Sequence, residues 1–121
     1  MIEYIKAVSD LLAKIEKTNK KEIEKVALLL KKKIDQKGIL FVFGSGHSSI
    51  LCEEAFHRAG GLIPVYPLFL DALTPHVSPK IAGPLERLPG ISPILLERAK
   101  ATSKDLVFIA SQSGINAAAI E

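Results

Sequence analysis

Ile39-Leu40-Phe41-Val42-Phe43-Gly44-Ser45-Gly46-His47-Ser48-Ser49 is the stretch on which the fold turns. Its leading apolar residues show no polar alternation, which is the pattern of a strand buried on both faces. Gly44 and Gly46 then allow a tight turn with no Cβ in the way. The residues that follow, Ile50-Leu51-Cys52-Glu53-Glu54-Ala55-Phe56-His57-Arg58-Ala59, favour helix. Strand, short loop and helix in this order put the loop at the carboxyl end of a strand, where open α/β sheets bind their ligands. Free amides at the helix start, together with the hydroxyls of Ser45, Ser48 and Ser49, suit an anion such as phosphate.

A second stretch repeats the arrangement. Asp105-Leu106-Val107-Phe108-Ile109-Ala110 is another apolar strand, followed by Ser111-Gln112-Ser113-Gly114-Ile115-Asn116 and a helix opening at Ala117. Taken singly, each loop reads as an ordinary serine-glycine turn. Parallel strands bring their carboxyl ends to one edge of the sheet, so the pair is stronger than either loop. Neither loop is a common nucleotide motif. A P-loop has a Lys-Ser/Thr pair after its glycines, and a dinucleotide fingerprint has a third glycine where this chain has Ser49. The ribose-binding carboxylate roughly 20 residues further on is also missing, since that region reads Ile63-Pro64-Val65-Tyr66. Nicotinamide binding is set aside on these grounds.

Composition narrows the setting. The 121 residues are 48% hydrophobic, enough for one modest domain with a core. A single cysteine rules out a disulfide scaffold, no signal-peptide pattern opens the chain, and no run approaches the ~18 apolar residues of a membrane span. A cytoplasmic location is expected, with no membrane partner. The net charge of +3 is local: residues 1–37 hold ten Lys against six acids, and residues 38–121 hold six bases against seven acids. With two Tyr, five Phe and no Trp there is no basic-aromatic platform for nucleic acid.

Along the chain, Ile2, Ile5, Val8, Leu12 and Ile15 recur at helical spacing, with Leu11 widening the stripe. Thr18-Asn19 reads as a break, because Asn19 can cap and Glu22 stands at capping-box spacing. A second helix presents Ile23, Val26, Ala27, Leu30 and Ile34, carries Lys31-Lys32-Lys33 as a solvated turn near its carboxyl end, and stops at Gly38. After the central helix, Gly60-Gly61 leads to a short strand at 62–66, where Pro64 favours a sheet edge. Residues 67–93 are the least regular part, with a short helix at 84–88 opened by Pro84, and 94–100 is a crossover helix. The fold expected is α/β: an incomplete doubly wound parallel sheet, strand order 2-1-3 for the strands at 62–66, 39–43 and 105–110, preceded by two amphipathic helices. The helical pair occupies 1–37 and the α/β part 38–121. The open edge at 105–110 and the apolar stripe of the leading helices imply a homo-oligomer, a dimer or higher.

These residues carry a family resemblance. Gly44-Ser45-Gly46-His47-Ser48 is similar to the G-x-G-x-S loop of the sugar isomerase (SIS) domain, the module of phosphoheptose isomerase, glucosamine-6-phosphate synthase and sugar-phosphate-responsive regulators. Ser111-Gln112-Ser113-Gly114-Ile115-Asn116 resembles the synthase form S-Q-S-G-x-T, with Asn116 where Thr is usual. The resemblance covers essentially the whole chain and implies only the first half of an SIS domain, truncated before the second. It implies a phosphosugar ligand, no cofactor, and phosphate contacts from Ser45, Gly46, Ser48, Ser111, Gln112, Ser113 and Asn116. In the full-length protein it implies an aldose-ketose isomerase, with a non-catalytic phosphosugar sensor or an amino-sugar phosphate lyase as alternatives.

Isomerisation requires a group that moves a proton between adjacent carbons. Glu53 and Glu54 ride on the helix leaving the first loop, 100° apart, so only one can face the cleft. The position of the catalytic glutamate in phosphoheptose isomerase favours Glu54, and the histidine of that enzyme belongs to the second half, so this chain alone is expected to be inactive. His47, inside the glycine loop, is a further candidate for contact with phosphate or sugar. His57 reads as a surface or interface residue, His76 lies in the proline-rich connection as a lesser candidate for capping the pocket, Cys52 reads as a small apolar residue, and no histidine-cysteine spacing suggests a metal.

Overall fold

The computed structural model describes residues 1–121. They form two units, residues 1–32 and 33–121. The first is helical, and its helix α1 runs without interruption over Ile2–Asp35. The expected pair of helices is therefore one helix, and Asn19 lies inside it. Neither Gly nor Pro occurs between residues 2 and 35, and Lys, Glu, Leu and Ala dominate, so local propensity carries the helix through. Thr18 Oγ1 donates to the Lys14 carbonyl at 2.9 Å, the back-bond of a helical threonine, instead of marking a helix start. None of the α1 side chains is buried.

The helix ends in a Schellman motif. Gly38 N–H donates to the Lys33 carbonyl and Lys37 N–H to that of Ile34, both at 2.9 Å. Lys37, at φ 60°, takes the left-handed position. Gly38 is needed for a different reason: a Cβ there would stand 2.4 Å from the Lys104 carbonyl oxygen.

The second unit is built on a three-stranded parallel sheet. Strand β1 is Leu40–Gly44, β2 is Val65–Pro67 and β3 is Leu106–Ala110. Their order is β2-β1-β3, with Leu40 opposite Val65 on one side and Leu106 on the other. The order and direction expected from sequence are those observed. All five residues of the central β1 are buried. Phe41 and Phe43 pack with Leu68, Leu73, Leu95 and Ala118 in the core. Strand β2 starts later than expected, at Val65, leaving Leu62 and Ile63 exposed. Leu68 N–H donates to the Val42 carbonyl, so alternation turns the nitrogen of Pro67 to the outer edge, where a missing donor costs nothing. Strand β3 is the other edge, as the order 2-1-3 requires, and its apolar residues Val107, Phe108 and Ile109 are exposed there.

Helix α2 spans Ile50–Ala55, α3 Pro79–Leu85, α4 Ile91–Arg98 and α5 Ala117–Ile120. The short helix expected at 84–88 is displaced: Pro79 opens α3 and Pro84 lies inside it. Helix α4 begins three residues before the expected 94, because Gly90 at φ 93° supplies the turn before it.

Asp105 ties β3 to β1. Its Oδ1 accepts from Ile39 N–H, and its Oδ2 from the Thr102 amide and hydroxyl, each at 2.8 Å. The bond from Ile39, then those from Thr102, hold this carboxyl below its ordinary value, with Lys33 adding a smaller attraction. A carboxyl depressed in the folded state stabilises above its unfolded value, and that contribution is lost as pH falls through the folded one. Asp105→Asn is thus expected to lower the urea midpoint at neutral pH and to flatten its decline below about pH 4. Parallel acid limbs in the two proteins would show that Asp105 does not set this dependence.

Candidate functional site

Two loops leave the carboxyl ends of neighbouring strands and face each other across an open cleft of about 600 Å3. Its walls are Ser45, His47, Ser48, Ile50, Leu51 and Glu86 on one side of the chain's path, and Ser111, Gln112, Ser113 and Asn116 on the other. That volume lies within the ordinary range of small-molecule sites.

The first loop is shaped by close backbone approach. A Cβ on Gly44 would come within 2.4 Å of the Ser48 carbonyl oxygen, so only glycine lets the loop fold back here. Gly46, at φ 57°, turns the chain into a 3-10 turn over Gly46–Ser49, and Ser48 N–H closes on the Ser45 carbonyl at 3.1 Å. This turn, rather than the start of a long helix, follows the loop. Helix α2 has only six residues, so the cleft relies on side chains more than on a helix dipole. Ser49 is buried and does not line the cleft. Gly46 shapes the loop without lining it.

The second loop is closed by Gly114, at φ 63°, whose N–H donates to Ser111 Oγ at 3.0 Å. Asn116 caps α5 through its backbone position, with no cap bond from its side chain. It lines the cleft together with Ser111 and Ser113. Helix α5 is fastened to the residue that ends α3 and to α4: Ala118 N–H donates to the Glu86 carbonyl at 3.0 Å, and Ser92 Oγ to the Ala118 carbonyl at 2.6 Å.

The two glutamates singled out from sequence do not line this cleft. Glu54 is exposed and ion-paired with Arg58 one turn on, and Glu53 is also exposed. The carboxylate that does line it is Glu86, half-buried, whose Oε2 accepts the Ser45 hydroxyl at 2.8 Å. Sequence reasoning passed over it because Ser45 and Glu86 lie 41 residues apart. The signal was limited to a carboxylate on a proline-opened turn in the irregular connection.

His47 is at the cleft, whereas His57 stands beside the Phe56 ring and His76 approaches Thr74 Oγ1 at 3.5 Å. Cys52 is buried on α2 with its Sγ donating to the Val42 carbonyl at 3.4 Å, and burial pushes the thiol up to about 11. It stays protonated near neutrality and supplies no thiolate nucleophile. No three His, Cys, Asp or Glu side chains gather where they could share a metal ion. No helix is long and apolar enough to cross a membrane.

Paired strand-loop-helix junctions with hydroxyl-rich loops at one sheet edge define an open parallel α/β module with a polar cleft, and comparison with known proteins gives the family. The SIS domain profile matches residues 3–121, and the chain belongs to the SIS-domain family. It is similar to the UPF0309 protein of Geobacillus thermodenitrificans, at 36% identity over 119 residues, 98% of this chain and 48% of that protein. A UPF0309 protein of Shouchella clausii is 37% identical over 120 residues, covering 98% of this chain and 49% of the relative. Another, the UPF0309 protein in the nagA 3' region of Lysinibacillus sphaericus, is 31% identical over 121 residues, all of this chain and 50% of that one. The chain thus spans about half the length of the curated relatives it matches.

Proposed function

We propose that this chain binds a sugar phosphate in the cleft between the loops 44–49 and 111–116, and that the whole protein is an aldose-ketose isomerase. The observation that carries the binding reading is the convergence of Ser48, Ser111, Ser113, Gln112 and Asn116 on one cleft at the carboxyl edge of the sheet. Hydroxyl and amide donors fixed by short loops form charge-assisted bonds to a phosphate without needing a neighbouring cation. Membership of the SIS-domain family supports the same ligand class.

Replacing Ser111 and Ser113 together by alanine is expected to weaken phosphosugar binding by about 1–3 kcal/mol. Titration calorimetry measures this directly, and an unchanged affinity would remove the serine loop from the site.

The isomerase reading requires a carboxylate or imidazole beside the carbon that loses its proton. Glu86 and His47 line the cleft and support it. Glu54 and Glu53 keep their candidacy only if α2 presents one of them to substrate in the whole protein. Full-length protein incubated with aldose phosphates in deuterated water should exchange the proton at the carbon next to the carbonyl, as followed by NMR. Loss of exchange at saturating sugar phosphate in one of Glu86→Gln, Glu54→Gln or Glu53→Gln identifies the base. Tight binding without exchange across a broad panel favours a phosphosugar sensor instead.

A further inference from the structure

The hydroxyls lining the cleft are not equivalent, because their hydrogens are committed differently. A serine hydroxyl has one hydrogen to donate and lone pairs to accept with. Ser45 gives its hydrogen to Glu86 Oε2 at 2.8 Å. Ser111 Oγ instead accepts, from Gly114 N–H at 3.0 Å, which leaves its hydrogen for a ligand. Ser111 therefore offers a donor and Ser45 offers lone pairs beside a carboxylate.

An anion laid against Ser45 would meet the Glu86 carboxylate at short range, where a half-buried setting gives little screening. Ser111, Ser113 and Asn116 bring donors to the same cleft, and no hydrogen bond ties any of them to the Glu86 carboxylate, whose side-chain partner is Ser45. Glu86 also cannot swing aside with its backbone: its N–H donates to the Ala82 carbonyl and its carbonyl accepts from Ala118 N–H, both at 3.0 Å.

From this polarity we infer that Glu86 is the specificity-determining residue of the cleft, accepting an O–H or N–H donor from the end of the ligand remote from its phosphate. The inference rests on the phosphosugar reading and deepens it. The phosphate lies along the 111–116 loop, and the Ser45–Glu86 pair takes a hydroxyl or ammonium group of the sugar. A ligand that is phosphate alone makes no use of Glu86. A ligand with an ammonium group at that end gains a charge-assisted bond.

The test is binding of inorganic phosphate, glucose 6-phosphate and glucosamine 6-phosphate to the wild type, Glu86→Ala, Glu86→Gln and Ser111→Ala. Circular dichroism shows whether each variant is folded. Glu86→Ala should weaken both sugar phosphates about tenfold and leave inorganic phosphate unchanged or tighter. Glu86→Gln, which keeps an acceptor for Ser45 and so guards against simple loss of the loop, should lose glucosamine 6-phosphate more than glucose 6-phosphate. Ser111→Ala should weaken all three ligands alike. The Glu86 assignment is overturned if Glu86→Ala weakens inorganic phosphate as much as the sugars, or if both Glu86 variants bind the sugars like wild type. A Ser111→Ala protein that binds all three normally, beside a selective Glu86 effect, would leave the assignment standing and remove the serine loop as the phosphate seat. Wild type binding none of the three would overturn both readings.

Discussion

Phe41→Ala is expected to cost about 3–5 kcal/mol of unfolding free energy, the range for removing a fully buried phenyl ring. Phe41 is 2% exposed on the central strand and packs with Phe43, Leu68, Leu73, Leu95 and Ala118. Its ring also meets that of Tyr66 edge to face, with centroids 5.8 Å apart. Alanine would leave a cavity between two strands and the helices packed on them, and the sheet has only three strands with which to absorb it. Small domains have about 5–15 kcal/mol in total, so the variant should unfold at a far lower urea concentration. Phe56→Ala, at a position 41% exposed, provides the comparison and should lose much less. A Phe41 cost below about 1.5 kcal/mol would mean that the core cluster is not what holds this unit together.

Gly44→Ala should remove about 3 kcal/mol and the ligand site together. The added Cβ would sit 2.4 Å from the oxygen and 2.6 Å from the carbon of the Ser48 carbonyl, and 3.0 Å from the Ser49 nitrogen. All three neighbours are backbone, so no side-chain rotation relieves the contact. The loop must move away from the strand end, carrying Ser45 and Ser48 out of line with the 111–116 loop. Phosphosugar affinity is then expected to fall at least about tenfold, even in protein that remains folded. Gly46→Ala separates close approach from left-handed backbone. Gly46 has φ 57° and open space around its missing Cβ, so its loss should be nearer ~1 kcal/mol. Equal stabilities and affinities for the two alanine variants would defeat the crowding account of Gly44.

The two helix-level corrections have separate physical causes. Thr18-Asn19 has capping residues, yet capping is decided by competition with helix continuation. With no Gly or Pro nearby, Thr18 bonds back to Lys14 and the helix runs on. The assignment of Glu53 and Glu54 to the cleft presumed a regular helix from the loop onward. The 3-10 turn at Gly46–Ser49 advances each residue about 120° instead of 100°, which rotates the residues that follow about the axis. Glu54 then pairs with Arg58 in solvent.

The sequence by itself determined the parallel α/β sheet, the central place of the strand around Phe41, the order of three strands and the two serine loops at one edge. Each of these follows from local information: an unbroken apolar run marks a strand covered on both faces, glycine marks a turn, and a proline marks an edge. Only the tertiary structure decided that Lys37 takes the left-handed turn, that the residues around Asn19 continue one helix, and that Glu86 is the carboxylate in the cleft. Those outcomes depend on what lies next to a residue in space. The carboxylate of Glu86 meets Ser45 across 41 residues of chain because α3 and α5 are bonded to each other at the carboxyl edge of the sheet, a proximity that no local pattern encodes.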